Sequence, residues 1–147
     1  MDAIELVKTG LKATEAGQAG KFGDLLADDM VFAGPVPQPI GKREFVGLQT
    51  ALVAAMPDWK FNASGFKQAG DQVIADMQIT GTHTGELSLP MPGFPKLAAT
   101  GKRVSLPNQP TTFTVKDGKI TRIEAEPLPG TGVPGILAQL GVSMPGM

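Results

Sequence analysis

The dominant hydrophobic period of this chain changes at Pro57. Upstream, apolar residues recur every three to four positions: Ile4, Val7 and Leu11, then Phe45, Leu48 (or Gln49), Leu52 and Met56. That spacing lays one stripe along a helix. From Trp59 onward the period is two, which puts successive side chains on opposite faces of a strand. Helices first and strands afterwards give an α+β fold, with the helices on one face of a curved antiparallel sheet. A sheet curled round helices leaves a conical cavity, a natural place for a ligand.

The punctuation places the elements. Residues 2–16 read as a helix with Asp2 as N-cap, ended by Gly17 and Gly20. Residues 21–28 suggest a short second helix with Phe22, Leu25 and Leu26 inward, followed by a short strand over 29–33. The run from Gly34 to Gly41 carries three prolines and is a loop. Residues 42–56 form the third helix, stopped by Pro57. Strands are expected over 59–69 and 72–83, joined at Gly70-Asp71. A further strand, over 102–116, is broken by Pro107 and Pro110. The last, over 119–126, follows the hairpin signal Asp117-Gly118. Residues 87–101 form a long Pro/Gly loop with apolar tips at Leu89, Met91, Phe94 and Leu97, of the kind that is often functional or covers an edge. The domain is read as residues 1–128. Residues 129–147 form a Pro/Gly-rich tail with a short amphipathic stretch over 133–142.

Composition removes several function classes. Net charge is −1 and no basic stripe is present, so nucleic acid is not an expected partner. The absence of cysteine excludes disulfides, thiolate metal sites and cysteine nucleophiles. One histidine is too few for a structural zinc site, and no cofactor is expected. The N-terminus does not read as a signal peptide and no run reaches the roughly 20 apolar residues of a membrane span. No membrane association and a cytoplasmic address are therefore expected. Neither dinucleotide nor nucleotide phosphate-binding patterns occur, and no serine has a nucleophile-elbow context.

The single histidine marks the most informative stretch, Gln72 to Glu86. Strict alternation puts Val73, Ala75, Met77, Ile79 and then His83 on the apolar face, and Asp76, Gln78 and Thr80 on the other. An inward histidine flanked by glycines is a candidate proton-transfer group. The alternative is a structural histidine bonded to the neighbouring loop. On the last strand, alternation groups Ile120, Arg122, Glu124 and Glu126 against Thr121, Ile123 and Ala125. The charged set reads as a solvated or dimer-facing ladder. Were Glu124 inward, it would be a buried carboxylate suited to act as a base.

Several pieces, in order, carry a family resemblance: Gly41-Lys-Arg-Glu-Phe-Val, Met56-Pro57-Asp58-Trp59-Lys60-Phe61, Gly70-Asp71-Gln-Val-Ile, Gly81-Thr82-His83-Thr84-Gly85-Glu86, Thr100-Gly101-Lys102-Arg103-Val104 and Val115-Lys-Asp117-Gly118-Lys119-Ile120. From Gly41 to Ile123 the chain resembles the SnoaL-like, polyketide cyclase-like branch of the nuclear-transport-factor-2-like superfamily. The resemblance implies a cone-shaped, cystatin-like α+β barrel, a homodimer through the outer sheet face, and an interior pocket for a small, mostly apolar ligand. It also implies a histidine in the Gly-Thr-His motif at the pocket, paired in cyclases with an aspartate on the following strand. Here Val104 to Lys116 holds no acid, and Asn108 and Gln109 occupy its middle. An amide can orient a substrate but cannot act as a base.

The expected function is thus a cofactor-independent acid–base enzyme of cyclase, isomerase or hydrolase type, acting on an apolar carbonyl-bearing substrate. His83 and Glu124 are its expected catalytic groups. Asn108, Gln109, Trp59, Met77, Phe45 and Phe32 are the expected substrate contacts. The alternative is a non-catalytic binding or accessory protein with the same pocket.

Overall fold

The fold is described from a computed structural model covering residues 2–34, 39–89 and 96–141. Met91 and Phe94, expected at the tips of the long loop, lie outside the described residues. Helix α1 (Ala3–Glu15) begins where Asp2 Oδ1 accepts the Glu5 N–H at 2.8 Å. Its face of Leu6, Val7, Gly10, Leu11 and Thr14 is buried. Thr14 is accommodated there because its hydroxyl donates back to the Gly10 carbonyl at 3.1 Å.

The short helix expected over 21–28 lies earlier: α2 is Ala19–Gly23, and strand β1 is Leu26–Ala33. The reason is tertiary pairing. The Ile120 N–H donates to the Leu25 carbonyl, and Leu26 pairs with Ile120. A neighbouring strand thus captures residues whose local pattern alone favours a helix. Strand β2 (Ile40–Gly41) pairs with β1. Helix α3 (Lys42–Ala55) buries Phe45, Leu48, Gln49, Leu52 and Ala55. Each large apolar side chain there contributes on the order of 2 kcal/mol of burial.

The two strands expected over 59–69 and 72–83 are both shorter. Strand β3 is Ser64–Ala69, β4 is Gln72–Met77, and β5 is only Thr80–Thr82. Asn62 has a left-handed backbone (φ 48°), and its amide donates to the Gln78 carbonyl at 2.9 Å. This polar bracket bends the first strand, and the second breaks opposite it at Gln78-Ile79. The next segment also divides. Strand β6 (Arg103–Ser105) pairs with β5, while β7 (Gln109–Lys116) pairs with β4. The break falls at Pro107, as expected; Pro110 instead stays within β7. The turn to β8 (Lys119–Ala125) has positive φ at both Asp117 (52°) and Gly118 (73°), the hairpin geometry that the sequence signals.

The main sheet has six strands in the order β2-β1-β8-β7-β4-β3. It is curved, open rather than closed into a barrel, and antiparallel except where β1 runs parallel to β8. Between Thr114 and Val115 the register shifts, leaving Thr121 as the extra, bulged residue of β8. This turns Ile120 inward with Ile123, although simple alternation groups it with Arg122. Helix α4 (Gly132–Gln139) lays Val133, Ile136 and Leu137 into the same core as the sheet and α3. None of the described helices is long and apolar enough to cross a membrane.

Candidate functional site

The concave face of the sheet and the helices enclose a cavity of about 90 Å3. Alternation aims the sheet's contribution: Met77 from β4, Gln109, Thr111 and Phe113 from β7, and Ile123 and Ala125 from β8. Helix α3 supplies Phe45, Leu48, Gln49 and Leu52 from the stripe that defines its buried face. Phe32 of β1, together with Trp59 and Phe61, completes an aromatic wall. Phe45 packs edge-on against Phe22 at 5.5 Å and tilted against Phe32 at 5.1 Å, while Trp59 meets Phe61 edge-on at 5.7 Å. Val133 and Ile136 of α4 close the remaining side.

Among the described residues, the lining contains no Asp, Glu, Lys, Arg or His. Its polar side chains are Gln49, Trp59, Gln109 and Thr111. Two are already tied: Gln109 Nε2 donates to the Glu126 carbonyl at 2.9 Å, and the Thr111 hydroxyl donates to the Gln109 carbonyl at 3.3 Å. The other two are not. Gln49 Oε1 and Trp59 Nε1 are buried with no hydrogen-bond partner among the described residues. Each such orphan costs on the order of 1–3 kcal/mol unless something in the cavity satisfies it.

His83 is fully buried (0% exposed), yet it is absent from that lining. The break at Gln78-Ile79 hands its strand to the small β5–β6 sheet, which packs beside the end of α3. There the Thr84 and Gly85 N–H groups both donate to the Ala55 carbonyl, at 3.1 and 2.9 Å. They satisfy an orphan acceptor of the helix C-terminus. A side chain at Gly85 would bring its Cβ within 2.5 Å of the Ala54 carbonyl oxygen, so close approach accounts for this glycine.

Thr100 holds the imidazole. Its N–H donates to His83 Nδ1 at 3.3 Å, and its hydroxyl lies 2.9 Å from the same nitrogen. Because that hydroxyl accepts the Lys102 N–H at 3.2 Å, it is free to donate to Nδ1. Nδ1 is therefore an acceptor and the ring proton is assigned to Nε2, which is buried without a partner among the described residues. No carboxylate bonds the ring among the described residues.

Asp58 fixes the same strand: Oδ1 accepts the Thr82 N–H at 2.6 Å and Oδ2 the Thr82 hydroxyl at 2.8 Å. Those donors, the N–H first, hold the Asp58 carboxyl below its ordinary value, with a smaller contribution from Arg103.

The structure thus brings Phe32, Phe45, Trp59, Met77 and Gln109 together at the cavity and leaves out three other expected site residues. His83 lies in the separate nook. Glu124 is on the outer face, its side chain 53% exposed and paired with Arg122, because the inward positions of β8 are Ile123 and Ala125. Asn108 is exposed, with its amide 3.4 Å from Asp76 on the outer side. Sequence reasoning reached Gln49 only as a stripe position and did not reach Thr111 or the α4 residues. Thr111 follows from alternation with Gln109, whereas the Gly/Pro-rich lead hides the docking of α4. No group of three potential metal ligands is clustered among the described residues.

The comparisons agree with this architecture. The model of the SnoaL-like domain matches residues 7–123. No curated protein matches the chain in sequence. AclR, a candidate hydroxylase from Streptomyces galilaeus, superposes with a TM-score of 0.71 at 20% identity, covering 93% of each chain. IdmH, a candidate polyketide cyclase from Streptomyces antibioticus, gives 0.70 at 20% identity over 97% of this chain and 100% of its own. A candidate polyketide cyclase from Xanthomonas campestris pv. campestris gives 0.71 at 20% identity over 94% and 96%. At such identities the likeness is one of fold. With the family model spanning most of its length and these neighbours sharing its architecture, the chain belongs to the SnoaL-like domain family.

Proposed function

We propose that this protein binds a small, mostly apolar molecule inside the cone and that the cavity walls perform no acid–base chemistry on it. One observation carries this reading: the described lining holds apolar side chains, two amides, an indole and a hydroxyl, and no side chain that exchanges a proton near neutral pH. At about 90 Å3 the cavity is smaller than the ~150 Å3 that accepts benzene, so one ring is the upper bound on the ligand and its entry requires the walls to give slightly.

The solved neighbours described as cyclase or hydroxylase candidates support the rival reading of an enzyme, for which His83 and Glu124 are the expected acid–base groups of this chain. That reading requires both side chains to reach the ligand from outside the lining. The family resemblance also supports a homodimer through the outer sheet face, where Ile74 is 36% exposed.

Calorimetric titration of the full chain with single-ring apolar compounds tests the proposal. Saturable binding of one molecule per chain is expected, and it is expected to vanish in Val133→Phe, whose ring occupies the cavity. Absence of binding, or undiminished binding by a folded Val133→Phe protein, contradicts it.

A further inference from the structure

We propose that the ligand is a neutral molecule bearing a hydroxyl group, and that Gln49 and Trp59 are the pair that orients it. This rests on the binding reading above. The observation behind it is the mismatch between the cavity's four polar side chains. Gln109 and Thr111 spend their donors on backbone carbonyls, whereas Gln49 Oε1 and Trp59 Nε1 reach no partner among the described residues. Both residues are more than nine-tenths buried and both line the cavity.

Their chemistry is complementary rather than alike. An indole N–H only donates, and a carboxamide oxygen only accepts. With the Gln49 amide oriented as it stands in the structure, a carbonyl ligand would satisfy Trp59 and leave Gln49 Oε1 orphaned, and an N–H ligand without an acceptor would do the reverse. A hydroxyl carries both functions on one small neutral group, an oxygen that accepts from an indole N–H and a proton to donate to a carboxamide oxygen. Charge is excluded by the same walls. A carboxylate or ammonium ion would be buried with no counter-ion among the described lining residues. The remainder of the ligand meets Phe45, Leu52, Phe113 and Ile123, so its body is apolar.

Phenol, toluene and benzoate separate these requirements, because they share a ring and differ at one substituent. Against the full chain, phenol is expected to bind about tenfold more tightly than toluene, and benzoate not measurably. That order inverts the one water imposes, since phenol is the better hydrated of the two. Gln49→Leu is expected to restore the toluene preference, and Trp59→Phe to weaken phenol more than toluene. Gln49→Leu should also raise the melting temperature of the ligand-free protein, because it removes a buried orphan acceptor.

If toluene binds the wild-type protein at least as tightly as phenol, the inference fails while the binding reading stands. If phenol keeps its advantage in Gln49→Leu, the assignment of Gln49 fails. If none of the three compounds binds, the binding reading fails and takes the inference with it.

Discussion

Two buried regions of this molecule pair their polar groups to different degrees: the nook leaves only His83 Nε2 without a partner among the described residues, and the cavity leaves both Gln49 Oε1 and Trp59 Nε1. In the nook beside the end of α3, Thr100 engages His83 Nδ1 with both its N–H and its hydroxyl, and Asp58, Thr82, Thr84 and Gly85 spend their polar groups on strand and helix ends. In the cavity, Gln49 Oε1 and Trp59 Nε1 are held without partners among the described residues, inside apolar walls. The nook's bonds tie segments distant in sequence, as in a structural clamp. The cavity's unpaired groups lack what a ligand would supply. The contrast teaches that an inward-facing side chain is not thereby a site residue. His83 lies on the inner face of its strand, yet the strand has crossed to the small sheet before reaching it.

The sharpest way to break the comparison is His83→Ala. Emptying a fully buried position is expected to destabilise the fold by about 3 kcal/mol in denaturant melts, with phenol affinity unchanged at temperatures where the variant is folded. A stable variant that has lost ligand affinity would move the site to the nook.

Asp58→Asn is expected to cost about 1 kcal/mol, less than a buried charged bond because Asp58 is exposed. It should also change the acid limb of stability. The native Asp58 value is depressed, so its contribution is complete above the ordinary carboxylate range. The contribution disappears as pH falls from that range through the lowered native value. Stability of Asp58→Asn measured against pH should therefore be flatter on the acid side than that of wild type.

Glu124→Gln is the smallest change. Loss of the exposed pair with Arg122 should shift stability by no more than about 0.5 kcal/mol and leave ligand affinity as it is. A tenfold loss of affinity would restore Glu124 to the site.

The sequence made the layers legible because hydrophobic period is a local property that survives folding. The α3 stripe, the inner set Val73, Ala75 and Met77, and the Asp117-Gly118 turn all emerge where expected. Five of the expected substrate contacts do line the cavity: Phe32, Phe45, Trp59, Met77 and Gln109. What alternation could not supply was where it stops. The left-handed backbone at Asn62 and the break at Gln78-Ile79 depend on bonds between separate strands. The bulge at Thr121 turns Ile120 inward and Lys119 outward. The parallel pairing of β1 with β8 joins residues about ninety apart, and no window of sequence carries it. The same holds for the unpaired atoms of Gln49 and Trp59, since lack of a partner is a fact about every neighbour at once.

The chain contains one tryptophan and one histidine, and each reports on one of the two regions. Titration with phenol, followed by the indole N–H resonance of Trp59 and the ring resonances of His83, tests the central claim most directly. A saturable shift of the Trp59 signal with an unmoved His83 ring is the predicted result. A His83 shift that saturates while Trp59 stays fixed would contradict the account and place the ligand in the nook.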